Sequence, residues 1–234
     1  MVMRKTIILM AGMLALLSVG CTTTYSKSET ASVVETLDTA AQIDDITGGW
    51  NKAESPEITT KIETICQKAF EGMTGVSYTP VALLSTQIVA GTNYRILFRA
   101  TPVVPNAEEV YAIGCIYEDL NGNVALEDIQ MTSVKTDFNN MEGGWRVSKS
   151  PVLTDEVTNT FDAALDGFTG VDYDPLALLG TQSVEGTNYA VLCNASVVYP
   201  GATPYYAIVY LNEDFNGNSK LLDIVNLQDE TAEK

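Results

Sequence analysis

The chain has 234 residues and 46% hydrophobic content, the balance of a globular protein, with room for two small domains beyond an export segment. Thirteen Lys and Arg against thirty Asp and Glu give a formal charge of −17, which disfavours a hold on nucleic-acid phosphates, so no nucleic acid is expected as partner. There is no histidine, which removes Ser-His-Asp triads, Cys-His dyads and imidazole-ligated metal centres; a non-catalytic role without a cofactor or metal is expected.

The first predicted element is an export segment over 1–20. Arg4 and Lys5 precede an apolar stretch from Thr6 to Leu17, too short to cross a ~30 Å hydrocarbon core comfortably, and small residues follow it directly. Ser18-Val19-Gly20-Cys21 resembles a bacterial lipobox, with Ser18 where Leu is usual. That resemblance implies a diacylglycerol thioether on Cys21, and acyl chains hold a protein on a bilayer without a spanning helix. The expected localisation is the cell envelope, anchored through lipid and exposed outside the cytoplasm; ordinary secretion is the alternative. Residues 21–47 carry too little apolar bulk to offset the entropy of ordering and read as a tether.

Beyond the tether the sequence repeats. Gly48-Gly49-Trp50 recurs as Gly143-Gly144-Trp145, an offset of 95 residues, and Gly75 to Tyr94 aligns without a gap on Gly170 to Tyr189. At the same offset, Glu118 to Asn123 matches Glu213 to Asn218. A period this long indicates duplicated domains, since solenoid repeats run roughly 20–50 residues. The domains are placed at 48–130 and 143–228, with a linker over 131–142 and an acidic tail over 229–234.

Each repeat opens with an amphipathic helix. Ile58, Ile62, Ile65, Ala69 and Met73 fall at helical spacing, as do Leu153, Val157, Ala164, Leu165 and Phe168. Pro56 and Pro151 stand just ahead, Thr154 is a candidate cap, and Gly72 and Gly167 mark the ends. Strands are predicted over Val81–Gln87, Tyr94–Val104, Val110–Tyr117 and Val124–Ile129, with a tight turn at Val89-Ala90-Gly91. Asn121-Gly122 suits a type I′ hairpin, in which both turn residues take positive φ.

Gln87-Ile88-Val89-Ala90-Gly91 resembles the Gln-x-Val-x-Gly hairpin of the cystatin and stefin family of cysteine protease inhibitors, and Gln182, Val184 and Gly186 repeat it. The order of glycine pair, helix, first hairpin and second hairpin is also similar in both repeats. The resemblance implies an α+β fold: two tandem cystatin-like domains, each one helix packed on a four- to five-stranded antiparallel sheet. It further implies a wedge that blocks the active-site cleft of a papain-like cysteine protease reversibly. The residues it would place against the protease are Gly48, Gly49, Gln87, Ile88, Val89, Ala90, Gly91, Asn121 and Gly122, then Gln182, Val184, Gly186, Asn216 and Gly217.

The chain departs from that pattern in three places. Asn-Gly stands in the second hairpin where many members have tryptophan, a large residue follows each glycine pair, and Ser183 and Glu185 replace Ile88 and Ala90 in the second copy. Desolvating Glu185 in an apolar cleft is costly, so the first copy is the expected inhibitor if only one acts. The same residues also make a sound hairpin with no inhibitory role, and the alternative function is a protein-binding module on the cell envelope.

Cys66, Cys115 and Cys193 have Phe161, Tyr210 and Phe98 as repeat counterparts, so no duplicated disulfide framework exists and buried free thiols are expected. Asp119 to Asn123 alternates oxygen-bearing side chains as calcium loops do, but glycine stands fourth and no Glu occupies position 12, so an ordinary turn is favoured.

Overall fold

A computed structural model describes residues 48–136 and 144–227; the export segment, Cys21, the tether, Gly143 and the acidic tail lie outside them. The first repeat runs β1 (Trp50–Lys52), α1 (Thr60–Ala69), β2 (Val76–Val89), β3 (Gly91–Pro102), β4 (Val110–Asp119) and β5 (Val124–Lys135). The second runs β6 (Arg146–Val147), α2 (Asp155–Ala164), β7 (Val171–Val184), β8 (Gly186–Val197), β9 (Tyr205–Glu213) and β10 (Ser219–Asn226). Each repeat forms an antiparallel five-stranded sheet whose strands neighbour one another in chain order. The segment expected to begin a linker at Met131 is still in β5, which continues to Lys135.

The helices start where a threonine caps them. Thr59 Oγ1 accepts from the Ile62 N–H at 3.4 Å, and Thr154 Oγ1 accepts from the Val157 N–H at 3.3 Å, satisfying a donor that the first turn leaves unpaired. Just before each cap a proline carbonyl is tied to the sheet: Leu83 N–H donates to Pro56 and Leu178 N–H to Pro151. The helices are shorter than their apolar spacing suggested, so Ile58, Met73, Leu153, Leu165 and Phe168 fall outside them. Ile62, Ile65 and Cys66 of α1 bury against Ile96, Phe98 and Ile116, and Val157 and Phe161 of α2 against Val191 and Val209.

The α+β fold class of two tandem cystatin-like, helix-on-sheet domains is overturned. The described residues are mostly β, with two antiparallel five-stranded sheets and only two short helices. Geometry supplies the reason. A ten-residue helix is ~15 Å long, whereas a fourteen-residue strand extends ~46 Å, so one such helix covers a fraction of its sheet. The sheet faces away from the helices are covered by each other: Ala82, Leu84, Leu97 and Tyr111 form one buried cluster with Leu176, Ala177, Leu179, Leu192 and Ile208. The centre of each sheet is therefore buried on both faces.

Matching irregularities shape that contact. Register shifts fall between Pro80 and Ala82 and between Leu83 and Ser85 in β2, and at the equivalent positions of β7. A proline inside a long strand is tolerated at such a bulge because no ladder N–H is needed there. Beside the cluster, Lys52 Nζ bonds Asp174 Oδ1 at 2.7 Å and the Pro175 carbonyl at 2.9 Å. Both partners of this ion pair are half exposed, which makes it a minor contributor beside the apolar cluster.

Candidate functional site

Three separate segments meet at one end of the first sheet. In the first repeat, β3 begins at Gly91, which pairs with Val89 on one side and with Asp119 on the other, so the β2–β3 and β4–β5 turns lie side by side. The glycine pair joins them: Gly48 N–H donates to the Ile88 carbonyl at 3.2 Å, and Gln87 Nε2 donates to the Gly48 carbonyl at 2.9 Å. Gln87 Oε1 accepts from Asn93 Nδ2 at 2.8 Å, which fixes the amide between the N-terminal strand and β3. Gln87 is thus a positioning residue for the end.

Gly91 is required by its own scaffold. Its φ is +139°, and a Cβ there would run into the Glu118 carbonyl oxygen and the Tyr117 ring. Tyr117 Oη donates to the Ala90 carbonyl at 2.5 Å, clamping the first turn onto the second. Gly186, with φ +102°, meets the Glu213 backbone in the same way.

The second turn differs from the type I′ hairpin expected from Asn-Gly. Positive φ occurs at Gly122, at +81°, and not at Asn121. Gly122 N–H donates to the Asp119 carbonyl and Asp119 N–H to the Asn123 carbonyl, a type I turn closed by a left-handed glycine. The Asp119 carboxylate decides the form, because Oδ1 accepts from the N–H groups of both Asn121 and Asn123 at 2.8 Å. Asn123 holds its carboxyl below the ordinary value, through side chain and backbone, with Asn121 adding to the effect. Asp214 is held in the same way by Asn218 and Asn216.

This turn places Leu120 and Phe215 at the tips, 84% and 83% exposed, beside Val89 and Val184 at 43% and 44%. Neither tip residue is among those the family resemblance would place against a protease. Their signal was an apolar residue in the second position of an Asp-x-Asn-Gly-Asn turn. The first end presents Ile88, Val89, Ala90 and Leu120; the second presents Ser183, Val184, Glu185 and Phe215. Asn121, Asn216 and Gly217 are exposed beside the tips, and Gly122 and Gly49 are half-buried supports.

The bases of the two ends carry different charge. In the first, Lys61 Nζ donates to Tyr94 Oη at 2.9 Å and lies 3.0 Å from Glu118 Oε2, to which Tyr94 Oη also donates. Tyr94 and then Glu118 raise the Lys61 pKa, while Lys61 holds the Glu118 carboxyl down. In the second, Glu156 replaces Lys61, and Tyr189 Oη sits between Glu156 at 3.0 Å and Glu213 at 3.5 Å. Burial, followed by Glu156, raises the Tyr189 pKa. The tryptophans differ too: Trp50 is stacked under Arg95 at 4.0 Å, whereas Trp145 packs on Tyr210 and the inter-sheet cluster.

Cys66, Cys115 and Cys193 are free; burial pushes the Cys66 thiol up to about 12 and raises the other two. Among the described residues, no group of three or more Cys, Asp or Glu is placed to hold a metal ion, and no helix is long and apolar enough to cross a membrane. No protein-family model matches the chain, and no curated protein matches its sequence.

Proposed function

We propose that the chain is a reversible inhibitor of papain-like cysteine proteases, acting as a wedge, with no bond made or broken in the inhibitor. One observation carries this reading: at a single sheet end, the glycine segment, the Gln-x-Val-x-Gly turn and the Asp-capped turn lie adjacent and present Ile88, Val89 and Leu120 to solvent. Small and apolar tips on a hydrogen-bonded support suit entry into a narrow cleft, because little is desolvated at a loss and little motion is frozen. Lipid on Cys21 is proposed to hold this surface at the cell envelope.

Steady-state titration of papain with the purified chain tests the inhibition. Saturable inhibition is expected in the wild type, falling at least tenfold in a Val89→Asp, Val184→Asp double variant that keeps the wild-type thermal transition. Undiminished inhibition in that variant would move the binding surface elsewhere. No inhibition at micromolar concentrations would remove the protease reading and leave the ends as a surface for another protein. Radiolabelled palmitate incorporation that is lost in Cys21→Ser tests the anchor.

A further inference from the structure

The two sheets dock in a head-to-tail sense, which decides where their ends lie. Lys52 on β1 pairs with Ser85 on β2 and bonds Asp174 on β7, so Ser85 is level with Asp174. Farther along, Pro80 and Val81 of β2 line one groove with Leu178 and Leu179 of β7. Going from Val81 to Ser85 approaches the first hairpin; the matching path on β7, from Leu179 to Asp174, leaves the second. The midpoint falls at Ala82 and Ala177, equivalent residues that are fully buried in the shared cluster. Seven residues separate Ala82 from Val89 and seven separate Ala177 from Val184. At about 3.3 Å per residue, the tips lie roughly 45 Å apart and point away from each other.

The same relation makes each end composite. Three residues beyond Asp174, away from its own hairpin, Val171 pairs with Val197, and the loop that follows exposes Val198 and Tyr199 by 71% and 62%. That direction is the one in which β2 runs from Ser85 to Ile88. Thr203 and Pro204 of this loop already line a groove with Trp50 and Lys52. Val198 and Tyr199 therefore share the end that carries Val89 and Leu120. In the reciprocal position, Val103 and Val104, exposed by 71% and 62%, share the end of Val184 and Phe215.

We infer that one chain binds two papain-like protease molecules at once, one at each opposite end. This rests on the protease reading above. A folded enzyme of about 200 residues has a radius of gyration near 16 Å, so two enzymes seated on tips that diverge do not overlap. At the second end, the exposed Phe215 ring supplies an apolar anchor where Glu185 weakens the first turn. Duplication thus yields two separate occupants and not a tighter hold on one, because no single cleft reaches both tips.

Sedimentation velocity of the purified chain with excess papain reads the mass of the complex, alongside enzyme activity in the same samples. The expected species holds two enzymes per chain, falling to one in Val89→Asp and to one in Val184→Asp. Leu120→Asp and Phe215→Asp, at exposed turn positions, are expected to repeat that pattern without disturbing the fold. A complex saturating at one enzyme per chain, with papain inhibited, would overturn bivalency and leave the protease reading standing. No complex and no inhibition would overturn both.

Discussion

Gln87 Nε2 donates a 2.9 Å hydrogen bond to the carbonyl of Gly48, thirty-nine residues earlier in the chain. This bond brings the N-terminal segment to the hairpin, and it makes Gln87 a support for the tip. Gln87→Ala removes it together with the bond from Asn93, each worth about 1 kcal/mol at most at this partly exposed position. Faster hydrogen exchange of the Gly48 and Ala53 amides, which bond the Ile88 and Leu84 carbonyls, is expected, with protection in β3 and β4 unchanged. Unaltered exchange at Gly48 would show that the bond does not hold the segment.

Gly91 and Gly122 both have positive φ, yet only Gly91 has backbone where a Cβ would stand. Gly91→Ala is expected to lower stability by about 2 kcal/mol or more, through strain and displacement of Glu118. Gly122→Ala meets open space and is expected to cost roughly 1 kcal/mol for the left-handed conformation alone. Urea unfolding of the two variants checks the order; equal losses would contradict the close approach of β4.

The contact between sheets is apolar at its centre. Leu97 and Leu192 are fully buried there, so Leu192→Ala is expected to cost about 2–5 kcal/mol, against less than about 1 kcal/mol for Lys52→Ala at the half-exposed ion pair. Calorimetry is expected to show a single transition for both repeats, with Leu192→Ala shifting all of it. A variant in which half of the transition stays in place would mean that the sheets fold independently.

Acid affects the second turns at a definite point. The folded pKa of Asp119 and Asp214 lies below the ordinary value of 3.8, so their contribution is present above that value and is lost as pH falls through the depressed one. The Asn121, Asn123, Asn216 and Asn218 amide resonances should hold steady from pH 7 to 5 and shift only below the usual carboxylate range. Shifts centred near pH 6 would exclude the aspartate caps as their cause.

Thiol chemistry separates the cysteines. Burial raises all three thiols, but Cys115 is only partly buried, whereas Cys66 and Cys193 are buried. Iodoacetamide at pH 8 is expected to modify Cys115 before Cys66 and Cys193 in the folded protein, the last two reacting only on denaturation. Prior modification of Cys66 would contradict the burial of α1 against its sheet.

Much of this organisation was legible in the residues. The offset of 95 gave the duplication and the positions of the long strands, and Thr154 its helix cap. Burial of the sheet centres on both faces does not follow from reading each strand for a single apolar face. Ile96-Leu97-Phe98 and Ala207-Ile208-Val209 are continuous apolar runs, the pattern of strands covered twice, and they carried the signal. Strands of two and three residues, β6 and β1, show no period at all. Asn-Gly by itself points to a different turn type, and only the Asp119 and Asp214 caps reveal that Leu120 and Phe215 reach the tips.

Insertion of the tips into an active-site cleft is tested most directly by occupying that cleft beforehand. Papain is reacted with an epoxysuccinyl peptide that fills its substrate groove, and binding of the chain is measured by calorimetric titration against free papain. The wedge account predicts binding to the free enzyme and at least a hundredfold weaker binding to the blocked one. Equal affinity for both would contradict it, because the contact would then lie outside the cleft.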